Sequence, residues 1–149
     1  MARIVSRTST LGAAIDEALS TAEELRDELQ EWKDNLPENL QDGQKADELQ
    51  EAIDYLEEGI SALEEAQGGD DEILNRNSFN YGSRQYSPSE QRSLGRAKRL
   101  ASSMEALESA STEISDYVED DEGDEFQTTL DSVQEAIDAL SNVNFPGMF

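Results

Sequence analysis

Cysteine and histidine are both absent from the 149 residues. Without cysteine there is no disulfide framework and no thiolate metal site; without histidine the commonest transition-metal ligand and the usual proton shuttle are missing. Zinc chemistry and Ser-His catalysis are therefore excluded. Long apolar runs are absent too. The opening MARIVSRTST has two arginines but no apolar stretch of signal-peptide length, and no segment approaches the roughly 20 apolar residues of a membrane span. A soluble, cytoplasmic protein is the expectation. Basic side chains are scarce: eleven lysines and arginines face thirty-five carboxylates, which leaves a net charge of −24. Such a charge repels nucleic acid and anionic membranes and favours basic partners, so neither direct duplex DNA binding nor membrane binding is expected.

What is present is helical periodicity. From Leu11 the apolar positions Leu11, Ile15, Ala18, Ala22, Leu25, Leu29, Trp32 and Leu36 follow a 4-3 spacing, the mark of a heptad seam. Pro37 stops this helix, and after PENLQ the seam resumes at Ala46, Leu49, Ile53, Leu56, Ile60 and Leu63. So short a connection implies an antiparallel hairpin. Ala52, Gly59 and Ala66 form a second stripe of small residues, and a glycine inside a helix, costing about 1 kcal/mol relative to alanine, points to close helix packing there.

Residues 68–86 break the periodicity and read as a long loop. Ser87-Pro88-Ser89-Glu90 then offers an N-cap serine, a first-position proline and a capping-box glutamate, which predicts the start of a third helix. Its seam is Ala97, Leu100, Met104, Leu107, Ser111, Ile114 and Val118. Asp124 and Gln127 would cap a fourth helix with Phe126, Leu130, Val133, Ile137 and Leu140 inside. The pentapeptide QEAID occurs at 50–54 and again at 134–138, so two related hairpins are the economical reading. The expected fold is all-α: a four-helix bundle in one domain, 1–149, built from antiparallel hairpins at 9–67 and 87–142 with a long central loop, 68–86, and an apolar tail, 143–149, folded back on it. Alternatively, two hairpins pair across a homodimer.

Three features bear on function. The first is carboxylate density: nine acids fall between Asp42 and Glu65, a helical span of about 36 Å, or roughly one charge per 4 Å against one phosphate per 3.4 Å of each DNA strand. A solvated face, salt adaptation and phosphate mimicry all fit this density. For mimicry the contact residues would be Glu24, Glu28, Glu31, Asp47, Glu51, Asp54, Glu58 and Glu65. The second is a basic island. Six of the eleven cations lie between Arg76 and Arg99, where Glu90 is the only acid. Arg92, Arg96 and Arg99 share a helix face; they either pair with acids of the first hairpin or, with Arg76, Arg84, Tyr81 and Tyr86, form an anion site that stacks a base. The third is the acidic run 119–125, whose spacing fails the EF-hand loop, so no metal or cofactor is implied.

The segment DELQEWKDNLPENLQ (27–41), with its hairpin and the closing FPGMF (145–149), resembles small acidic helical proteins of tailed bacteriophages, mostly without assigned function. Residues 68–99 depart from the plainer single-hairpin pattern of that group. In charge and helicity the chain is also similar to phage anti-restriction proteins that mimic DNA. The resemblance carries no site residues over. It implies a non-enzymatic protein of the host cytoplasm whose partner is the basic surface of a host protein, such as a DNA-binding enzyme. The other readings are a structural or assembly protein that docks through its coiled-coil seams, and a sponge for an anionic nucleotide.

Overall fold

The computed structural model describes residues 3–40, 43–68, 74, 78–89, 95–120 and 124–145. Four long helices dominate: α1 (Leu11–Asp34), α2 (Gln44–Gln67), α3 (Arg96–Asp120) and α4 (Asp124–Ser141). The predicted seams are the core. Leu11, Ile15, Ala18, Ala22, Leu25 and Leu29 of α1 and Ala46, Leu49, Ile53, Leu56, Ile60 and Leu63 of α2 are all buried. Leu107, Val133 and Leu140 close the core from α3 and α4. Each large side chain fully buried there contributes about 1.5–3 kcal/mol of transfer free energy.

The helices form a ring in which α1 packs on α2 and α3, and α4 packs on α2 and α3. Contacts at both ends establish that α1 and α2 are antiparallel. Lys33 donates to Gln50 at one end, and at the other Gln67 Nε2 donates to Asp16 Oδ1 over 2.5 Å. The connection is compact: a 3-10 turn at Glu38–Leu40 follows Pro37, whose carbonyl accepts from Leu40 N at 2.8 Å. The small stripe of α2 meets α4. A Cβ built on Gly59 would stand 2.6 Å from Leu140 Cδ2 and Cγ, so only hydrogen fits at that crossing.

The fold is mostly helical, as expected, but not wholly so. Arg3–Thr10 (β1) and Ser78–Gln85 (β2) pair as a two-stranded antiparallel sheet, with Ile4 opposite Arg84 and Thr8 opposite Asn80. Part of the predicted loop 68–86 is thus a strand, and residues 9–10, assigned to the first hairpin, end the other. Thr10 closes β1 and caps α1, its hydroxyl accepting from Ala13 N at 3.2 Å. Neither segment is strongly patterned, and each becomes a strand because the other, 68 to 82 residues away in the paired register, supplies its hydrogen bonds. The sheet lies on α3 through β2.

The capping signal at 87–90 does open a helix at Pro88, but not the long helix itself. Pro88 and Ser89 are helical, but Gly95 is not, and the long helix starts at Arg96, with Arg99 N bonded to Gly95 O at 3.0 Å. Its inner face keeps the predicted register at Leu100, Met104 and Leu107. Ala97 is exposed, while Leu100, Ser103, Met104, Ala106, Leu107 and Ala110 are buried. The side chains of Ile114, Val118 and Phe126 lie outside the described residues. Of the tail, Val143 and Phe145 pack on the core; 146–149 lie outside the described residues.

Candidate protein-binding surface

The close approach at Gly59 and Leu140 brings two acidic helix faces side by side. Asp47, Glu51, Asp54, Glu57, Glu58, Glu64 and Glu65 of α2 are exposed, as are Asp131, Glu135 and Asp138 of α4. Glu58, Asp131, Glu135 and Asp138 line a shallow groove of about 410 Å³ together with Tyr55, Gln134, Ala139 and Asn142. No lysine or arginine occurs anywhere in residues 46–75 or 100–149, so nothing on either helix beyond Lys45 offsets this charge. The carboxylates are held by neutral donors instead. Gln50 Nε2 donates to Asp54 Oδ1 at 2.8 Å and Gln127 Nε2 to Asp131 Oδ1 at 2.7 Å, each one helical turn on. Such pairs order a carboxylate at a gain of about 0.2–0.5 kcal/mol, and unlike lysine pairs they leave the charge in place.

The eight acids predicted as contacts do not form one strip. Asp47, Glu51, Asp54, Glu58 and Glu65 stay exposed on α2. Glu28, on α1, faces α3 and is half-buried, with Oε1 accepting from Arg96 Nε at 3.0 Å and Oε2 from the Arg99 guanidinium. Glu24 and Glu31 are exposed on α1 to either side of it. The α1 acids thus border the arginines of α3, whereas the α2 acids border the acids of α4. Sequence reasoning missed Asp131, Glu135 and Asp138. The repeat held the signal, since QEAID sets Glu135 and Asp138 in the places of Glu51 and Asp54.

Two arginines of the basic island are engaged within the fold. Arg96 and Arg99 serve Glu28, and the Arg96 guanidinium also stacks 5.3 Å from the Trp32 ring centre, where Lys45 Nζ approaches to 5.7 Å. Arg84 is exposed on the sheet, while Tyr81 is half-buried and sits 6.1 Å from Phe79 between ring centres. Tyr86 is half-buried after β2. Arg76 and Arg92 lie outside the described residues.

Beneath the sheet sits a mixed-charge cluster. Glu105 of α3 accepts from Ser83 Oγ at 3.2 Å and from Arg84 N at 3.1 Å, which clamps β2 to α3. Glu17 of α1 is close to Glu105, Tyr81 and Arg7. Although Glu17 is exposed at its surface, partial desolvation raises its pKa above the usual carboxylate range; the Arg7 charge opposes this and the Glu105 charge adds to it. Tyr81 is pushed up as well, by desolvation first and then by the Glu17 carboxylate.

Among the described residues no group of acids has a metal-binding arrangement, and no helix is long and apolar enough to cross a membrane. The side chains of the acidic turn 119–125 lie outside the described residues. Set against known protein families, curated proteins and solved structures, the chain matches none.

Proposed function

We propose that the protein is a non-enzymatic, phage-type inhibitor that binds protein, using its α2–α4 face to occupy the basic nucleic-acid-binding surface of a host enzyme as a mimic of DNA. One observation carries this reading: two adjacent helices expose ten carboxylates on surfaces that no basic side chain of residues 46–75 or 100–149 interrupts. Packed helix axes lie about 8–10 Å apart, a separation comparable to that of phosphate rows across a minor groove about 6 Å wide. Concentrating like charge this way costs stability through self-repulsion, and the glutamine pairs preserve that charge where lysines would relieve it. Solvated carboxylates are poor general acids at neutral pH, and Glu17, whose pKa is raised, sits on α1 near Arg7 and Glu105, away from this face. Among the described residues, the seam positions from Leu11 to Leu29 on α1 and from Ala46 to Leu63 on α2 are buried within the chain, which favours the acidic face over the seams as the contact surface.

The test is capture from a bacterial lysate on immobilised protein, eluted by rising salt and by competing duplex DNA. A DNA-handling enzyme released by both is the expected result, because groove occupancy by charge weakens steeply with ionic strength. Reversing Glu51, Asp54, Glu58 and Glu135 to lysine abolishes capture at unchanged helicity. The same reversal at Glu24, Asp27, Glu31 and Asp34 of α1 leaves it intact. Capture that survives the α2–α4 reversal would sink the proposal.

A further inference from the structure

The two edges of the sheet differ. Arg84 N donates to Glu105, so this amide points away from β1 toward α3. In an antiparallel pair, directly opposed residues either exchange both hydrogen bonds or turn both backbone groups outward. Arg84 therefore belongs to an outward-turned pair, and so does Ile4, its partner in register. By alternation, Ser6 and Thr8 also turn their amide and carbonyl groups away from β2. The β2 edge meets α3 and its Glu105 clamp. On the β1 edge no backbone hydrogen bond reaches Ile4, Ser6 or Thr8 among the described residues.

The charges on this strand, Arg3 and Arg7, sit at the positions that bond to β2 and not at the outward-turned ones. The edge has no proline, no lysine and no bulge, and the side chains of the outward-turned residues are uncharged, with Ile4 65% exposed. Natural edge strands left so open are templates for a further strand. Charge selects which strand. The first acid of the chain is Asp16, and none lies between Ile73 and Ser89, so neither strand carries a carboxylate in a molecule of net charge −24, and the acids near them, Glu17 and Glu105, belong to the helices and face Arg7 and the β2 side. A second copy meets less repulsion here than at any helix face.

We infer that β1 is a dimerisation strand, pairing antiparallel with β1 of a second copy about a two-fold axis at Ser6. In that register Ser6 faces Ser6 and Ile4 faces Thr8 as hydrogen-bonded pairs, using the outward groups of both strands. Val5 then stands opposite Arg7, and Arg3 opposite Ser9, so no two arginines face each other. The product is a continuous four-stranded sheet, β2-β1-β1-β2. A two-stranded ribbon is marginal alone, and three or more strands with a packed face are far more stable.

Sedimentation equilibrium of the intact chain tests this, with a mass of twice 16.5 kDa expected. Salt tightens the dimer by screening the repulsion of the two chains, opposite to its effect on capture by the acidic face. Ser6→Pro removes an outward amide without touching the β1–β2 ladder, and reduces the mass to 16.5 kDa at unchanged helicity. Because the chain has no cysteine, Ser6→Cys is a clean second probe. Hydrogen-bonded pairs hold Cα atoms about 5.5 Å apart, within disulfide range, so this variant crosslinks to a covalent dimer on mild oxidation while Ile4→Cys alone does not. A monomeric mass at every concentration overturns the inference. So does a dimer that persists in Ser6→Pro and fails to crosslink through residue 6.

Discussion

The α1–α3 side and the α2–α4 side of the bundle use acids in opposite ways. On the first, Glu28 gathers two arginines, Arg96 adds its face to Trp32, and Glu105 fastens a strand. Carboxylates there are structural ligands for the chain's own donors. On the second, Asp54 and Asp131 are held by glutamine amides, which leave their charge uncompensated. The lesson is that net charge says little about where charge is available. Every cation in this chain lies outside the stretches that build the α2–α4 face, Lys45 at the start of α2 excepted, so on that face the negative charge has no cation of its own helices beside it, whereas the exposed acids of α1 share their helix with Arg26 and Lys33.

Three changes break or sharpen that contrast. The largest effect is expected at the seam that creates the acidic face. Replacing Gly59 by valine sets a branched side chain against Leu140, where even a Cβ comes to 2.6 Å. Overpacking of this kind costs about 1–3 kcal/mol, visible as a lower urea midpoint, and it spreads α2 from α4. Gly59→Val combined with Leu140→Ala recovers part of the loss, which a non-local cause would not produce.

A smaller effect separates the two uses of acid directly. Glu28→Gln removes the charge that Arg96 and Arg99 share. With all three side chains about one-third exposed, the loss is about 1 kcal/mol after allowing for solvent screening. Glu58→Gln on the other side removes only repulsion and leaves stability unchanged or raised by about 0.5 kcal/mol or less. Chemical denaturation of the two variants side by side reads the difference. Equal losses would erase the distinction between the faces.

The smallest effect is in pH. Glu17 has a folded-state pKa raised above its unfolded value, so between those values the folded state binds more protons and stability increases as pH falls. The contribution is fully present below the unfolded pKa and is lost as pH rises through the folded one. Glu17→Gln flattens the stability profile in that window, above the ordinary carboxylate range. A slope unchanged in the variant would assign the effect to the general charge of the chain.

The helices were legible because each seam is a local pattern. Burial at Ile15, Leu25, Ile53 and Leu56 follows from 4-3 spacing alone, and Gly59 was marked as a crossing by its cost within a helix. The sheet was not legible, since its strands are short, polar and carry Gly82, and the register that makes them strands joins residues 3–10 to 78–85. The acidic site was half legible. Asp54 and Glu58 lie where helical spacing puts them, but whether a neighbouring helix brings arginines or more carboxylates is a matter of which helix packs beside it.

The sequence by itself determined four amphipathic helices, a single apolar core and a large negative charge, because helical periodicity and composition are properties of neighbours along the chain. Tertiary structure alone decided that α1 meets the arginines of α3 while α2 meets the acids of α4, and that two weak segments pair under the hold of Glu105. The reason is one of range: Coulomb and hydrogen-bond energies depend on distances of a few ångströms, and these distances are fixed only when helices far apart in sequence pack together.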